Sequence, residues 1–231
     1  MHKIRSSATL PILAVAALTF GAVPPLPGQA AGVVAGRVML LEKNNRPAED
    51  VDQAVVWLTG AHLEAPVPVT VEMATENKQF VPRLVVIPVG STISFPNHDP
   101  FNHNVFSLSP EQPFDLGLYG RGGAKTVTFE TPGVVRVFCN VHAQMRANVM
   151  VRESRFVTQP GADGSFRLDS VPPGDYQLHV WHERAADLVR PLKVGTGAVP
   201  SLTLSLDARG YRFVQHKDKN GKSYGDRSRR Y

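Results

Sequence analysis

Short β-rich runs between turn signals recur along most of this chain, and no stretch carries the 3.6-residue apolar period of a convincing amphipathic helix. A chain patterned this way has to bury its side chains between sheets. The runs fall at 69–73, 84–89, 92–95, 125–130, 134–138 and 148–151, then at 165–168, 176–181, 188–194 and 202–206. Two further candidates, 36–41 and 54–58, precede both series. In Thr126-Val127-Thr128-Phe129-Glu130 polar and apolar residues alternate, and Pro132-Gly133 then turns the chain into Val134-Val135-Arg136-Val137-Phe138, which reads as a hairpin. The 19 Gly and 19 Pro suit turns better than long helices, and 42% hydrophobic content supports real cores but not a multispanning membrane protein. The expected fold is all-β, with two sandwiches.

Residues 1–30 are expected to be a secretory signal peptide. His2, Lys3 and Arg5 give a basic start, residues 8–23 are nearly all apolar, and Gly28-Gln29-Ala30-Ala31 offers small residues for cleavage. The apolar run falls short of the ~20 residues of a membrane span, and prolines interrupt or closely follow it. No transmembrane span is therefore expected in the mature protein, and export favours the periplasm over full secretion. At the other end, 207–231 holds eight Lys and Arg against three Asp, so this one segment carries the +5 of the whole chain. It is expected to be a basic, flexible, solvated tail whose functional alternative is contact with an acidic surface. Nucleic acid is not an expected partner, because the chain is exported and shows no aromatic-rich binding groove.

Cys139 is the sole cysteine. An intramolecular disulfide and any site needing two thiolates from this chain are therefore excluded, and an oxidising compartment would attack the thiol unless something occupied it. In Cys139-Asn140-Val141-His142-Ala143-Gln144-Met145 a thiolate, an imidazole and a thioether recur every three residues after a strand. A second imidazole, His103 in Asn102-His103-Asn104-Val105-Phe106, lies 36 positions earlier. Soft sulfurs favour Cu(I) while imidazoles hold Cu(II), so the set suits one copper ion in both oxidation states. Taken singly, each residue has a bland reading: a buried small hydrophobe, core filler or a structural histidine. The joint pattern points to a metal, with a one-Cys, two-His zinc site as the residual alternative, since zinc has little use for a thioether. His98, beside Asn97 and Asp99, is expected to be a loop histidine near the site. His179 and His182 flank Trp181 on a strand and form no chelate by themselves.

From 69 to 151 the sequence resembles the cupredoxins of the plastocyanin and amicyanin group. The matching elements are Phe80-Val81-Pro82, the 86–95 stretch with Val89-Gly90 at its turn, Asn97, His103-Asn104-Val105, Thr131-Pro132-Gly133 and the short C-x2-H-x2-M loop. The resemblance implies a Greek-key sandwich over 66–152, with type 1 copper held by His103, Cys139, His142 and an axial Met145. It also implies that Asn104 ties the two ligand loops together by hydrogen bonding and that His142 presents its ring edge at the surface; Phe101, Val141 and Ala143 would then be expected to supply a small apolar docking rim around it. Unlike amicyanin-type loops, this one carries no proline. Asp163-Gly164-Ser165-Phe166 and Val171-Pro172-Pro173-Gly174-Asp175-Tyr176 resemble the carboxypeptidase regulatory-like, transthyretin-type β-sandwich. Residues 33–60 together with 153–206 are expected to build that second, smaller domain, with the copper domain inserted into it.

The expected function is one-electron transfer between transient redox partners such as a cytochrome or a dehydrogenase, with no catalytic residues and no enzyme activity. An oxidase is disfavoured because one copper set stands without further histidine clusters. The alternative is a non-catalytic copper-handling or cell-surface adhesion protein.

Overall fold

The computed structural model describes residues 31–60 and 63–224. The expected signal peptide and residues 225–231 of the tail lie outside them. The described chain is all-β: two short 3-10 turns, Lys43–Asn45 and Val51–Gln53, accompany eighteen strands. The first two strands are β1 (Gly32–Leu41) and β2 (Val55–Gly60). Ten follow: β3 (Thr70–Glu72), β4 (Ala74–Glu76), β5 (Gln79–Val81), β6 (Leu84–Pro88), β7 (Ser91–Pro96), β8 (His103–Ser107), β9 (Phe114–Tyr119), β10 (Ala124–Phe129), β11 (Gly133–Phe138) and β12 (Arg146–Arg152). The last six are β13 (Val157–Thr158), β14 (Ser165–Val171), β15 (Gly174–Trp181), β16 (Leu188–Val194), β17 (Gly197–Ala198) and β18 (Leu202–Asp207).

The middle ten strands make a sandwich. One sheet runs β6-β12-β11-β8-β9 and the facing one β10-β7-β3, with β4 and β5 paired as a separate ribbon. Period-two patterning puts one face of each strand inside: in β7 the side chains of Ile93 and Phe95 are fully buried while Thr92 and Ser94 are half-exposed. These two meet Phe80, Phe129, Val137 and Val149 in a common core. The hairpin expected across Pro132-Gly133 does not form. β10 pairs with β7, whereas β11 pairs with β12 and β8, so the turn carries the chain from one sheet to the other. Alternation identifies a strand and its buried face; it is silent about the partner.

The outer strands join the two ends of the sequence. β1 lies between β14, antiparallel to it, and β18, parallel to it, and also pairs with β17. β2 pairs with β13 and β15, and β15 continues to β16. Between these sheets lie Val38, Leu40, Val56, Leu58, Leu178 and Leu204. β1 passes so close to β18 that a Cβ at Gly36 would stand 2.2 Å from the Leu202 carbonyl oxygen. Gly36→Ala is therefore expected to destabilise the protein by about 1–3 kcal/mol, because backbone must move to admit the methyl. A lower urea midpoint would show it.

A third apolar cluster joins the outer strands to the sandwich: Val55, Trp57, Val157 and Trp181 meet Leu84 and Met150. Beside it Glu183 accepts bonds from Arg83 (3.0 Å), Asn148 (3.2 Å) and Arg146 (3.5 Å). The outer strands thus hold the β11–β12 hairpin, which carries the Cys139–Met145 loop, from outside as well as from within.

Candidate metal centre

The loop between β7 and β8 is built around buried Asn97. Its side-chain amide donates to the carbonyls of Phe101 (2.9 Å) and Tyr119 (3.1 Å), while its oxygen accepts the Asp99 N–H (2.9 Å) and the Thr75 hydroxyl (3.1 Å). That arrangement delivers Asp99 into the interior and starts β8 at His103. Cys139 follows directly on β11, and its loop is closed on itself: the Met145 N–H donates to the His142 carbonyl at 3.1 Å and the Cys139 N–H to the Met145 carbonyl at 3.2 Å. The three-residue spacing is accommodated by a tight turn.

His103, Cys139 and His142 come together, with their ligand atoms all within 4.8 Å of one another. His103 Nδ1 and His142 Nδ1 are 3.2 Å apart, and the Cys139 Sγ lies 3.7 Å from the first and 3.8 Å from the second. The point equidistant from the corners of this triangle is about 2.1 Å from each, within the ~2.0–2.3 Å of metal–imidazole and metal–thiolate bonds. The donor set therefore fits one soft-to-borderline ion. Met145 is 1% exposed and belongs to the same apolar cluster as Cys139.

Each donor is prepared electrostatically. The His103 Nε2–H donates to Asp99 Oδ2 at 2.7 Å, both groups being buried. Asp99 in turn accepts the main-chain N–H of Asn77 on Oδ1 (2.8 Å) and of Lys78 on Oδ2 (2.9 Å). Burial works to raise the Asp99 pKa, but the bonds from Lys78, His103 and Asn77 outweigh it and hold the carboxyl below its ordinary value. An ionised carboxylate only accepts, so the proton of neutral His103 sits on Nε2 and the Nδ1 lone pair faces the triangle. Burial also lowers the His103 pKa, against the pull of Asp99. His142 is lowered to about 4, by burial first and then by the charges of His103 and Lys78. Burial pushes the Cys139 thiol up, opposed by the N–H groups of Asn104, Val141 and His142. The site thus favours unprotonated imidazoles and would hold a thiolate only beside a cation.

Several expectations are corrected. His142 is 1% exposed and Ala143 3%, so neither forms a surface rim; only Phe101 and Val141 of that set are half-exposed. Phe101 packs on both imidazoles, at 5.2 Å from His103 and 5.5 Å from His142, and the His142 Nε2 is buried with no hydrogen-bond partner among the described residues. Asn104 links the two ligand loops by its main-chain N–H to the Cys139 sulfur, while its side chain donates to Asp115 at 2.6 Å. His98 is exposed in the loop, as expected. His179 stacks on Trp57 at 4.8 Å and His182 is buried beside Asp50, far from a chelate. The residue that sequence reasoning missed is Asp99. Its spacing of four before His103 was the available clue, but only the fold of the Asn97 loop turns its carboxylate onto the ring.

No protein-family profile matches the sequence, and no curated protein matches it. Solved structures give partial matches. A copper-containing nitrite reductase from Thermus scotoductus is 29% identical over 41% of this chain and 24% of its own, with a TM-score of 0.34. A purple cupredoxin from Nitrosopumilus maritimus is 24% identical over 36% of this chain and 99% of its own, at 0.33. A reduced amicyanin variant is 17% identical over 42% of this chain and 98% of its own, at 0.35.

Proposed function

We propose that this chain is an exported type 1 copper protein that carries single electrons, in which His103, Cys139 and His142 would hold the copper and Met145 would be a further, weak thioether donor. The observation that carries the reading is the buried triangle of two imidazole nitrogens and one sulfur, sized for an ion about 2.1 Å from each corner. Copper would supply the one-electron change between Cu(I) and Cu(II). The residues supply a frame that need not move with it. Asp99 fixes the His103 ring, the closed 139–145 loop fixes Cys139 and His142, and Phe101 with the apolar core keeps water from the sulfur. A donor set anchored on neighbouring strands of one sheet, β8, β11 and β12, by a hydrogen-bonded loop loses little energy to rearrangement.

In this reading the strands β3–β12 are a cupredoxin inserted into a carboxypeptidase regulatory-like sandwich made from the outer strands, and the place of work is the periplasm. Partners are transient redox proteins such as a cytochrome or a dehydrogenase. One observation favours the copper-handling alternative: the burial of His142 removes the ring edge through which a partner would make contact. Adding Cu(II) to the purified metal-free protein tests the first reading. An intense visible thiolate-to-copper band that vanishes in Cys139→Ser is the expected result, and a colourless product or a band that survives the substitution would sink it. Reversible cycling with a cytochrome, against copper that cannot be re-reduced, separates the carrier from the handling protein.

A further inference from the structure

The segment after β18 was expected to be solvated, yet it has a defined place. It leaves Asp207 and runs without regular secondary structure to Tyr224 along the β11 side of the metal loop. Near its start, Arg146 lies over the Phe213 ring at 4.4 Å and donates to the Tyr211 hydroxyl at 3.3 Å. Further on, the His216 ring stacks on Phe138, the residue before Cys139, with centroids 4.4 Å apart and planes 24° off parallel. A turn then forms around Asp218, whose carboxylate accepts the N–H groups of Asn220 (2.9 Å) and Lys222 (2.8 Å). From this turn the Lys219 N–H donates to Asn140 inside the metal loop at 2.9 Å, and the Lys219 ammonium pairs with Asp115 at 2.5 Å. Asp115 also holds the side chain of Asn104, the neighbour of His103. Finally the Tyr224 hydroxyl donates to the carbonyl of Cys139 itself at 2.6 Å.

We propose that residues 211–224 are a strap belonging to the metal centre, in which Tyr224 and Lys219 are positioning residues for the Cys139–Met145 loop and the strap limits access to the Cys139 sulfur. The contacts reach both ligand loops from one segment: Tyr224 and Lys219 on the Cys139 side, Lys219 through Asp115 on the His103 side. A solvated tail would have no reason to place an aromatic ring on Phe138 or to satisfy a carbonyl in the metal loop, since water serves that carbonyl equally well. The strap's remaining cations, Arg212, Lys217 and Lys222, stay exposed. The burial of the loop against solvent is thus supplied partly by residues distant in sequence. In its consequences for copper the proposal rests on the metal reading above; in its consequences for the thiol it does not.

The test uses the full-length protein. In the metal-free form, Cys139 is the sole thiol, so its alkylation by iodoacetamide under native conditions measures how often the loop is open. The triple variant His216→Ala, Lys219→Met, Tyr224→Phe is expected to react about tenfold faster than the parent, the scale expected when a few modest hydrogen bonds are removed. Tyr224→Phe alone should give part of that effect, and Lys219→Arg, which keeps the ion pair with Asp115, should stay within about twofold of the parent. In the copper-loaded protein the same order should appear in the rate of copper loss to a chelator and in the position of the thiolate band. Alkylation unchanged in the triple variant, with its unfolding still cooperative, would overturn the strap. Should the triple variant not fold, the comparison of Tyr224→Phe with Lys219→Arg decides by the same readouts. A protein that binds no copper but shows the alkylation pattern would remove the metal reading and leave the strap standing.

Discussion

Asp99→Asn is expected to weaken copper binding by about 10–100-fold, the range seen when the partner of a metal-bound imidazole is removed. The carboxylate accepts three N–H groups, from Asn77 on one oxygen and from Lys78 and His103 on the other. An asparagine has one acceptor oxygen and one NH2 group. If its oxygen faces His103 and Lys78, the NH2 confronts the Asn77 N–H; flipped, it confronts the imidazole and Lys78. Either choice leaves a buried donor without its acceptor and releases the His103 ring from the tautomer that aims Nδ1 at the triangle. The loss should appear in a copper competition titration, with a smaller fall in the unfolding midpoint of the metal-free protein. Affinity within about threefold of the parent would show that His103 is held by the Asn97 loop alone and that Asp99 serves only the backbone of Asn77 and Lys78.

The candidate donors were legible because their chemistry is local. Cys139, His142 and Met145 sit in seven residues that follow an obvious strand, and one sulfur in an oxidising setting demands an explanation. His103 is remote, yet the strand it opens is plain. The supporting groups are of another kind. Asp99 acts through a chain reversal governed by Asn97, and no periodicity marks where a side chain at a loop tip will point. The strap is less visible still: its lysines, glycine and asparagine are the composition of a solvated end, and its contacts are single hydrogen bonds, an ion pair, a cation–π contact and a ring stack rather than a buried apolar face. Burial of His142 was missed because the resemblance carries ring exposure over from other chains, whereas here Phe101 and His103 pack on the ring. Among the strands, β6, β7, β12 and β14–β16 announced themselves as β-rich runs between turn signals, while β4, β5 and β9 did not; Asp115 and Gly117 interrupt the apolar residues of β9. The partner of β10 was misjudged because a Pro-Gly turn is compatible with a hairpin and with a crossover between sheets.

The metal-free protein is expected to lose roughly 3 kcal/mol of stability as pH falls from about 7 to about 4. His142 carries this change. Its folded pKa lies at about 4 against an ordinary 6.5, so between those values the unfolded chain binds a proton that the folded chain refuses. Stability therefore rises with pH across that window and is fully present above it. His103 is displaced in the same direction and steepens the loss. Asp99 acts lower: its depressed pKa stabilises the fold above the ordinary carboxylate range, and that contribution goes only on further acidification. Cys139 sets the other limit, because its raised pKa means that the unfolded chain ionises first and stability is drawn off in alkali. Urea midpoints measured across this range should follow the curve, and His142→Gln, which cannot titrate, should flatten most of the acid limb. Midpoints that stay level from about pH 7 to about pH 4.5 would mean that the imidazoles reach solvent in the metal-free state, and that the closed triangle forms only around an ion.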